Sequence, residues 1–361
     1  MVEERKRILK LVEEGKLSAS EALTLIEVLE EEKKASEQKI TALSEDVIFT
    51  DKHAENVKND KPSLGAKLMD FVDQAVKKVK EVDLDLNFGK SFDVRHIFQF
   101  SQASFQEIEL EMVSGSINIK PWSDQDVRVE CDAKVYRAED QDSARDSFLN
   151  GVECEVSGNK FRFYTNKKSI KVNLLIYVPE REYDQMKAKL FNGPIRGEQL
   201  HISNLKTKTA NGVISFSSIK GDQAEFETAN GQIKLAATQY KKVEAETVNG
   251  LIHYEGTAEK LDIQSFNGNL IANVADENCH TLYAKTTTGN IDIYTTNKNN
   301  IIGEFKSNLG SLSADVPGAE IIFEKNETMQ KELKFRVNES STKQLTVFAD
   351  SKTGSIHLSQ S

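Results

Sequence analysis

A corner signal recurs about every 19 residues in the second half of the chain, and it constrains the fold more than any other feature. Segments such as TANGVISF, TANGQIKL and TVNGLIHY begin at Thr209, Thr228 and Thr247. The glycines of the series are separated by 19, 19, 19, 18, 21 and 21 residues. A unit of this length with two short strands is too short for a propeller blade and is typical of one coil of a β-solenoid.

The residues at the centre of each copy predict where the chain turns. Asn and Gly both tolerate positive φ, which a sharp turn between strands requires. The predicted solenoid corners are Asn192, Gly193, Asn211, Gly212, Asn230, Gly231, Asn249, Gly250, Asn267, Gly268, Gly289 and Gly310. Because Asn-Gly is also the preferred hairpin turn, a series of plain hairpins is the alternative interpretation.

Two apolar columns favour the solenoid over the hairpins. Aligning the copies by their period stacks Leu205, Ala224, Val243, Leu261 and Leu282 before the corner, and Ile214, Ile233, Ile252, Leu270, Ile291 and Leu312 after it. A coil that returns the same side chain to the same place at every turn would bury such columns in one continuous core. The asparagines of the corners could likewise form a ladder of stacked side-chain amides.

Two more copies of the signal lie outside the regular series. One begins at Val113 and is isolated, and the other begins at Ser351, with its glycine, Gly354, 44 residues or about two coils after Gly310. Between residues 101 and 190 the pattern is rich in strands but not repetitive, which suggests wider first coils. A polar helix is expected from Ala138 to Asn150, and Trp122 is expected to be a packing anchor rather than a ligand-stacking residue.

Carboxylates recur on the outward face of the predicted coils. The two outward columns are Lys206, Glu225, Glu244, Asp262, Tyr283, Glu304 and Lys208, Glu227, Glu246, Gln264, Lys285, Lys306. Carboxylates stacked at the strand separation of about 4.8 Å repel one another unless solvent or a cation screens them. The cluster Glu225, Glu227, Glu244, Glu246 and Asp262 is therefore either a site for Ca²⁺ or a cationic peptide, or a hydrated face that keeps the solenoid soluble.

The first 34 residues predict a small interaction module. Apolar residues recur at helical spacing in two segments, which predicts two helices separated near Gly15. A capping-box sequence that begins at Ser18 marks the start of the second helix. Two helices of this size cannot enclose a core alone, so their apolar residues are expected to dock onto a partner. These partner-binding candidates are Ile8, Leu9, Leu11, Val12, Leu23, Ile26 and Leu29. Residues 35–62, rich in charged and polar residues, are predicted to be a flexible linker.

A second amphipathic helix is predicted within residues 63–90, which lead into the β domain of 91–361, clearest over 191–314. Its apolar stripe and basic end favour either contact with an anionic membrane or covering of the open end of the solenoid. The membrane-contact candidates are Leu68, Phe71, Val72, Lys77, Lys78 and Lys80.

Composition and motifs exclude several function classes. The net charge of −10 argues against a general binder of nucleic acid, which needs clustered basic residues. The longest apolar run, Leu174 to Val178, is far shorter than the about 20 residues of a membrane-spanning helix. The three cysteines are widely spaced, the six histidines lack metal-ligand spacing, and no P-loop, GxGxxG or GxSxG motif is present. We therefore predict no enzyme activity, no cofactor and no metal site.

The strand repeat over roughly Phe100 to Ser361 resembles an adhesin-type β-strand-repeat family of unknown function. The opening from Glu4 to Leu29, with RILKLVEEGK followed by SASEAL, is similar to the SHOCT-like two-helix module that is fused to this family in LiaX-like proteins of Gram-positive bacteria. The resemblance implies a partner among small membrane proteins of the cell-envelope stress response, and no known active site.

Together these features predict a mainly β protein: a single-stranded, parallel β-helix-like solenoid with an N-terminal helical hairpin and an amphipathic capping helix. The predicted function is a non-enzymatic scaffold of the envelope stress response, cytoplasmic or peripheral to the inner face of the membrane because no signal peptide is encoded. The alternatives are a surface adhesin or a glycan- or peptide-binding protein, and third a carbohydrate-active enzyme that uses the carboxylate cluster.

Overall fold

The residues between successive corners alternate between apolar and polar, and this alternation forms strands with one buried face. The structure, a computed structural model, describes residues 90–274, 278–296, 300–337 and 343–360. In these residues the strands stack into a mainly parallel solenoid, which confirms the predicted fold class. The predicted hairpin of 1–34, linker of 35–62 and helix of 63–90 lie outside the described residues, apart from Lys90.

The described elements are 22 strands and one helix. In chain order they are β1 (Ser91–Phe100), β2 (Glu107–Trp122), β3 (Val127–Tyr136), α1 (Gln141–Gly151), β4 (Glu153–Ser157), β5 (Lys160–Thr165), β6 (Ile170–Pro179), β7 (Glu182–Asn192), β8 (Ile195–Glu198), β9 (His201–Asn211), β10 (Ile214–Ser217), β11 (Lys220–Asn230), β12 (Ile233–Asn249), β13 (Ile252–Asn267), β14 (Leu270–Val274), β15 (Thr281–Thr288), β16 (Ile291–Thr295), β17 (Asn300–Ser307), β18 (Leu312–Asp315), β19 (Ala319–Asn326), β20 (Lys331–Val337), β21 (Gln344–Ser351) and β22 (Ile356–Gln360).

Each regular coil consists of a long strand, an Asn-Gly corner, a short strand and a second corner. The long strand β9 and the short strand β10 make one such coil, and β11 with the first residues of β12 makes the next. The long strands β9 and β11 pair in parallel, as do the short strand β10 and the first residues of β12. The register brings Asn211 beside Asn230, so the corners lie directly above one another.

The first predicted apolar column is present in full. Leu205 pairs with Ala224, Ala224 with Val243, Val243 with Leu261, and Leu261 with Leu282, all in parallel register. These five side chains are at most 3% exposed and belong to one hydrophobic core that extends from Val94 to Leu358. Burial of the same position in every coil therefore holds neighbouring coils together.

The corner glycines are needed for a different reason from the predicted one. Among them only Gly193 has φ in the positive range, whereas a Cβ on Gly212 would lie 1.9 Å from the carbonyl oxygen of Gly193. Positive φ occurs instead at the second corner, at Gln199, Ser218 and Ala237. Glycine is required at the Asn-Gly corner because the backbones of adjacent coils touch there, and the prediction based on positive φ is confirmed at Gly193 and wrong at the other corner glycines.

A hydroxyl side chain three residues before most corner glycines also forms a hydrogen bond to the adjacent coil. The side chain of Thr228 donates to the carbonyl oxygen of Gly212 at 3.2 Å, and that of Thr247 donates to Gly231 at 3.1 Å. The same bond is made by Thr209, Ser265, Thr286, Ser307 and Ser351, each to a corner glycine of a neighbouring coil. The bond explains why a small hydroxyl residue opens nearly every copy of the repeat.

The early copy of the repeat is not isolated in space. On one side β2 pairs in parallel with β7 and β8, and on the other side it pairs in parallel with β5 and β6. The coil of β2 therefore lies between two coils that come later in the chain. The region predicted to form wider first coils therefore contains the coil of β2 and the coil of β5 and β6, stacked out of chain order, together with antiparallel strands and the helix α1.

The late copy shows the same arrangement at the other end. The strands β21 and β22 insert between the coil of β15 and β16 and the coil of β17 and β18. Ile356 therefore lies between Ile291 and Leu312, so the predicted direct contact of Leu312 with Ile291 is wrong. The late copy also lies one coil before Gly310 in space rather than two coils after it, because β17 and β18 leave room for one coil, which the chain fills when it returns after β19 and β20.

Antiparallel strands and the helix α1 cover the first end of the solenoid. The strand β3 pairs with β6, and β1 pairs with β3, both antiparallel. The helix α1, predicted over residues 138–150, begins with an Asp140 side chain that accepts from the Ser143 amide at 2.8 Å, and it buries Ala144 and Phe148 against β1 and β3. At the other end β20 pairs antiparallel with β17, and β19 pairs with β20.

Candidate functional site

The outward side chains of the long strands form a continuous charged face, which is the candidate functional site. Alternation along each strand points Lys206 and Lys208 of β9, and Glu225 and Glu227 of β11, away from the core. The strand register places Glu225 beside Lys206 and Glu227 beside Lys208. Parallel stacking therefore turns the sequence period into two columns of charge.

From β7 to β13 the charged face separates into a basic block and an acidic block, and Glu109 and Glu111 of β2 lie beside the basic block on its other side. The basic block consists of Lys187, Lys189, Lys206 and Lys208 on β7 and β9. The acidic block consists of Glu225, Glu227, Glu244, Glu246 and Asp262 on β11, β12 and β13. The predicted carboxylate cluster is thus brought together in space. The column continues from Asp262 to Tyr283, but Phe348 rather than Glu304 follows Tyr283 because β21 is inserted.

Ion pairs join the two blocks where they meet. The Nζ of Lys206 lies 2.8 Å from Oε1 of Glu225 and 3.8 Å from Glu227. The Nζ of Lys208 lies 3.1 Å from Glu227, and the Lys208 side chain is only 5% exposed. Lysine is rarely so buried unless it is paired with an anion, so this contact holds the junction of the two blocks.

The two carboxyl groups at this junction titrate in opposite directions. Burial raises the pKa of Glu225, and a hydrogen bond with Glu227 adds to that effect. Burial acts in the same direction on Glu227, but the bond from Glu225 and the ammonium groups of Lys208 and Lys206 outweigh it and lower the pKa of Glu227. The two groups therefore share one proton between them.

The far end of the acidic block is only partly neutralised. Burial raises the pKa of Asp262, and the carboxylates of Glu244 and Glu246 add to the effect against a hydrogen bond of 2.9 Å from Gln264. Lys242 forms an ion pair with Glu244 on the same strand. The charged face therefore presents an acidic block directly beside a basic one.

The described residues contain no group of three or more His, Cys, Asp and Glu side chains placed to hold a metal ion. The predicted Ca²⁺ alternative for the carboxylate cluster therefore finds no ligand cage there.

The three cysteines are free thiols, and burial raises the pKa of Cys131 to about 12. Such a thiol has little nucleophilic thiolate at neutral pH.

The neighbouring Cys279 and His280 both lie in the loop before β15. Neighbouring side chains on a strand point to opposite faces, but in a loop they can lie on the same side. Cys279 is nevertheless 1% exposed, and its thiol faces the Thr281 carbonyl oxygen at 3.7 Å. The exposed His280 ring contacts the Thr281 hydroxyl at 3.3 Å. The buried Cys279 thiol is not accessible to a substrate, as the nucleophile of a nucleophile-and-base pair would have to be.

Trp122 packs as predicted. Its indole nitrogen donates to the Asp126 carbonyl oxygen at 2.8 Å, and its ring lies 5.3 Å from that of Tyr177.

The predicted partner-binding residues from Ile8 to Leu29 and the membrane-contact residues from Leu68 to Lys80 lie outside the described residues. No helix in the described ranges is both long enough and apolar enough to cross a membrane.

Two surface features are not predicted from the sequence. The basic block extends to Lys187 and Lys189, which lie one period before Lys206 and Lys208 and could have been found by stepping back from them. The second omission is β19, whose sequence AEIIFEKN carries exposed apolar residues and has no counterpart in the repeat. Its position at the end of the stack follows from the inserted coil, which the repeat does not reveal.

Comparison with known proteins agrees with this architecture. The family model described as Toastrack DUF4097 matches residues 100–358, and a model described as a SHOCT-like domain matches residues 3–34. The chain is 57% identical over 363 residues to "Uncharacterized protein YvlB" of Bacillus subtilis (strain 168), and the match covers 100% of both proteins.

Among solved structures, a "putative adhesin" from Bacteroides fragilis is 12% identical with a TM-score of 0.42, and the match covers 74% of this chain and 97% of that one. A "putative lipid binding protein" from Parabacteroides distasonis is 13% identical with a TM-score of 0.38, and the match covers 73% and 96%. The match of the family model to residues 100–358 and the identity with YvlB over the full length place this chain in the DUF4097 toastrack family.

Proposed function

We propose that this protein is a non-enzymatic scaffold of the bacterial cell-envelope stress response, which binds a small membrane protein through its N-terminal helices. The observation that carries the proposal is the bonding between coils, which continues from one end of the solenoid to the other. The apolar columns of the core pack neighbouring coils together, and the corner hydroxyls and side-chain amides form hydrogen bonds between them. A body held in this way suits the rigid presentation of a separate binding module.

The N-terminal residues supply the binding part of the proposal. Leu11 and Ile26 belong to the apolar faces of the two predicted helices, and the SHOCT-like match covers both. A hairpin of this size has too little core to fold alone, so a partner that covers its apolar face would stabilise it. The basic residues Lys77, Lys78 and Lys80 would add attraction to an anionic membrane, at about 1 kcal/mol each.

A cross-linking experiment in cells tests the partner. The tagged full chain is cross-linked under cell-envelope stress, and the recovered proteins are compared with those of the variant Leu11→Asp/Ile26→Asp. We expect one small membrane protein to be recovered with the unchanged chain and lost with the variant. The matched control is Leu149→Asp, a 38% exposed residue of α1. Equal recovery by the unchanged chain and the double variant would contradict the proposal.

Membrane attachment is tested separately with vesicles. The full chain is sedimented with vesicles of anionic or of zwitterionic lipid, alongside the variant Lys77→Glu/Lys78→Glu/Lys80→Glu. We expect binding to the anionic vesicles alone, and its loss in the variant, because the attraction is electrostatic and is screened by salt. Binding that is independent of lipid charge would argue against a role for the basic end of this segment.

A second candidate function, a surface adhesin or a glycan- or peptide-binding protein, is favoured by the adjacent basic and acidic blocks of the charged face. Opposite fields on one rigid surface can orient a charged ligand. Treatment of intact cells with a protease distinguishes this candidate from the scaffold. Loss of the chain from intact cells would favour the surface role, and survival of the chain until lysis would favour the scaffold.

A further inference from the structure

The last strand of the solenoid, β19, has an open edge. It pairs with β20 on one side, and the pairings of the described residues place no strand on its other side. An edge strand presents unpaired backbone donors and acceptors that can extend the sheet with a strand from another chain. The end of the stack therefore has the geometry of a site for strand addition.

The side chains of β19 are unusually apolar for an exposed strand. Ile321 and Ile322 are 61% and 60% exposed, and Phe323 is 45% exposed. Three consecutive large apolar residues on an open edge favour burial against another surface. The edge at the other end, β1, is different because its exposed residues Asp93, Arg95 and Gln99 alternate with partly buried ones, and only Ile97 is a large exposed apolar residue.

A β-bulge arranges the charges of β19 symmetrically. Glu320 pairs with Arg336 and Lys325 pairs with Glu332, and the register shifts by one residue between Ile321 and Phe323. Arg336 and Glu332 are four residues apart on β20 and so share a face. Glu320 and Lys325 therefore also share a face, although residues five apart in a regular strand would point to opposite sides.

We propose that β19 pairs with β19 of a second copy of this chain in an antiparallel, two-fold symmetric dimer. In the register that places Ile322 opposite Phe323 of the second copy, Glu320 lies opposite Lys325, and the symmetry repeats this pair. A shift of one residue in one direction would place Glu320 opposite Glu324 instead. Opposite charges across a strand pair stabilise it and like charges destabilise it, so the sequence of β19 is complementary to itself in this register.

Charge is also what selects a second copy over other occupants. The apolar centre of β19 is preceded by Glu320 and followed by Glu324 and Lys325. Glu320 also pairs with Arg336 at 2.8 Å and Lys325 with Glu327 at 3.2 Å, and a two-fold axis in the stated register adds the opposite charge of the second copy to each of them. Eight residues from each chain make a small interface compared with the about 1,600 Å² of a standard one. The dimer is therefore expected to be weak and to dissociate at micromolar concentrations.

Sedimentation velocity of the full chain over a range of concentrations tests the proposal. We expect a shift from monomer to dimer in the unchanged chain as the concentration rises. In Ile322→Lys, which places a charge in the apolar centre, the dissociation constant of the dimer should be at least about tenfold higher. The matched control is Ile97→Lys, a substitution of a 51% exposed residue on the other edge strand, and it should leave the dimer unchanged. A chain that stays monomeric, or a dimer unaffected by Ile322→Lys, would overturn the proposal.

Two further measurements identify the register and the occupant. A Glu320→Cys copy mixed with a Lys325→Cys copy should form a disulfide between chains under oxidation, whereas Glu320→Cys mixed with Glu324→Cys should not. The hydrogen exchange of β19 should slow as the protein concentration rises. Slow exchange that does not depend on concentration would show that another part of the same chain covers β19, and fast exchange at every concentration would show that nothing does; both results overturn the dimer.

Discussion

The side chain of Asn230 donates from Nδ2 to Oδ1 of Asn211 at 2.9 Å, across the corner between two coils. The same bond continues from Asn211 to Asn192, from Asn249 to Asn230 and from Asn267 to Asn249, and the hydroxyl of Thr288 donates to Asn267 at the end. All these amides point in one direction along the solenoid. A chain of aligned amides strengthens each of its bonds by polarisation.

The first prediction concerns the middle of this ladder. Asn230→Ala removes one donated and one accepted bond and should lower the free energy of unfolding by about 1–2 kcal/mol. Asn192→Ala, at the end of the ladder, removes one bond between asparagines and should cost about half as much. Urea denaturation of the full chain measures both. Equal losses at the two positions would contradict a cooperative ladder.

The second prediction concerns the closest approach of adjacent coils. A Cβ on Gly231 would lie 1.8 Å from the Gly212 carbonyl oxygen, so Gly231→Ala must push two backbones apart at a cost of about 3 kcal/mol. At Gly158, by contrast, φ is +55° and a Cβ would have no atom within 4 Å. Gly158→Ala therefore carries backbone strain alone, about 1 kcal/mol. Thermal unfolding should rank the two variants in this order, and the reverse order would mean that conformation rather than contact selects glycine at the corners.

The sequence predicts the coil well because the coil is a local and repeated object. The spacing of Gly212 and Gly231, the apolar columns and the asparagine ladder all follow from the period, because parallel in-register strands superpose residues one period apart. The acidic block follows for the same reason. The period alone thus indicated both the core and most of the charged face.

The order of the coils does not follow from the period. The copies that begin at Val113 and at Ser351 each insert between two coils that follow one another in the chain but are distant from the inserted copy, and each inserted coil satisfies the same register as its neighbours. Because every coil presents nearly the same edge, the sequence does not specify which edges meet. The open strand β19 and the reason for the corner glycines also depend on contacts between coils, which the residues of one copy cannot reveal.

The third prediction compares two buried threonines on β9. The hydroxyl of Thr207 has no hydrogen-bond partner among the described residues, whereas that of Thr209 donates to the Gly193 carbonyl oxygen at 3.2 Å. Both residues are 0% exposed. Thr207→Val should therefore raise the free energy of unfolding by about 1 kcal/mol, because a buried hydroxyl without a partner costs desolvation energy.

The matched substitution, Thr209→Val, should instead lower the free energy of unfolding. Thr209→Val removes a buried bond between coils and leaves the Gly193 carbonyl oxygen with one acceptor site empty, at a cost of about 1 kcal/mol. Because valine has nearly the shape of threonine, packing changes little in either variant. Chemical denaturation of both variants measures the difference, and a loss of stability in Thr207→Val would refute the assignment.

The fourth prediction concerns the pH dependence of stability at the junction of the basic and acidic blocks. Burial, together with the bond to Glu227, raises the pKa of Glu225 from 4.5 to about 7. The folded state therefore binds a proton at Glu225 between these values that the unfolded state has released. The contribution of this group is fully present below pH 4.5 and is lost as the pH rises toward about 7.

Glu225→Gln should remove this dependence, because glutamine keeps the shape of protonated glutamate at every pH. The difference in unfolding free energy between the variant and the unchanged chain should therefore grow in favour of the variant between pH 4.5 and about 7. The Glu225 side chain is 36% exposed, so solvent screening reduces the expected change from the about 3 kcal/mol of the full shift to about 1 kcal/mol. Glu198→Gln, on the short strand β8, is the matched control and should keep the dependence of the unchanged chain. Parallel stability profiles for Glu225→Gln and the unchanged chain would show that Glu225 and Glu227 do not share a proton in the folded protein.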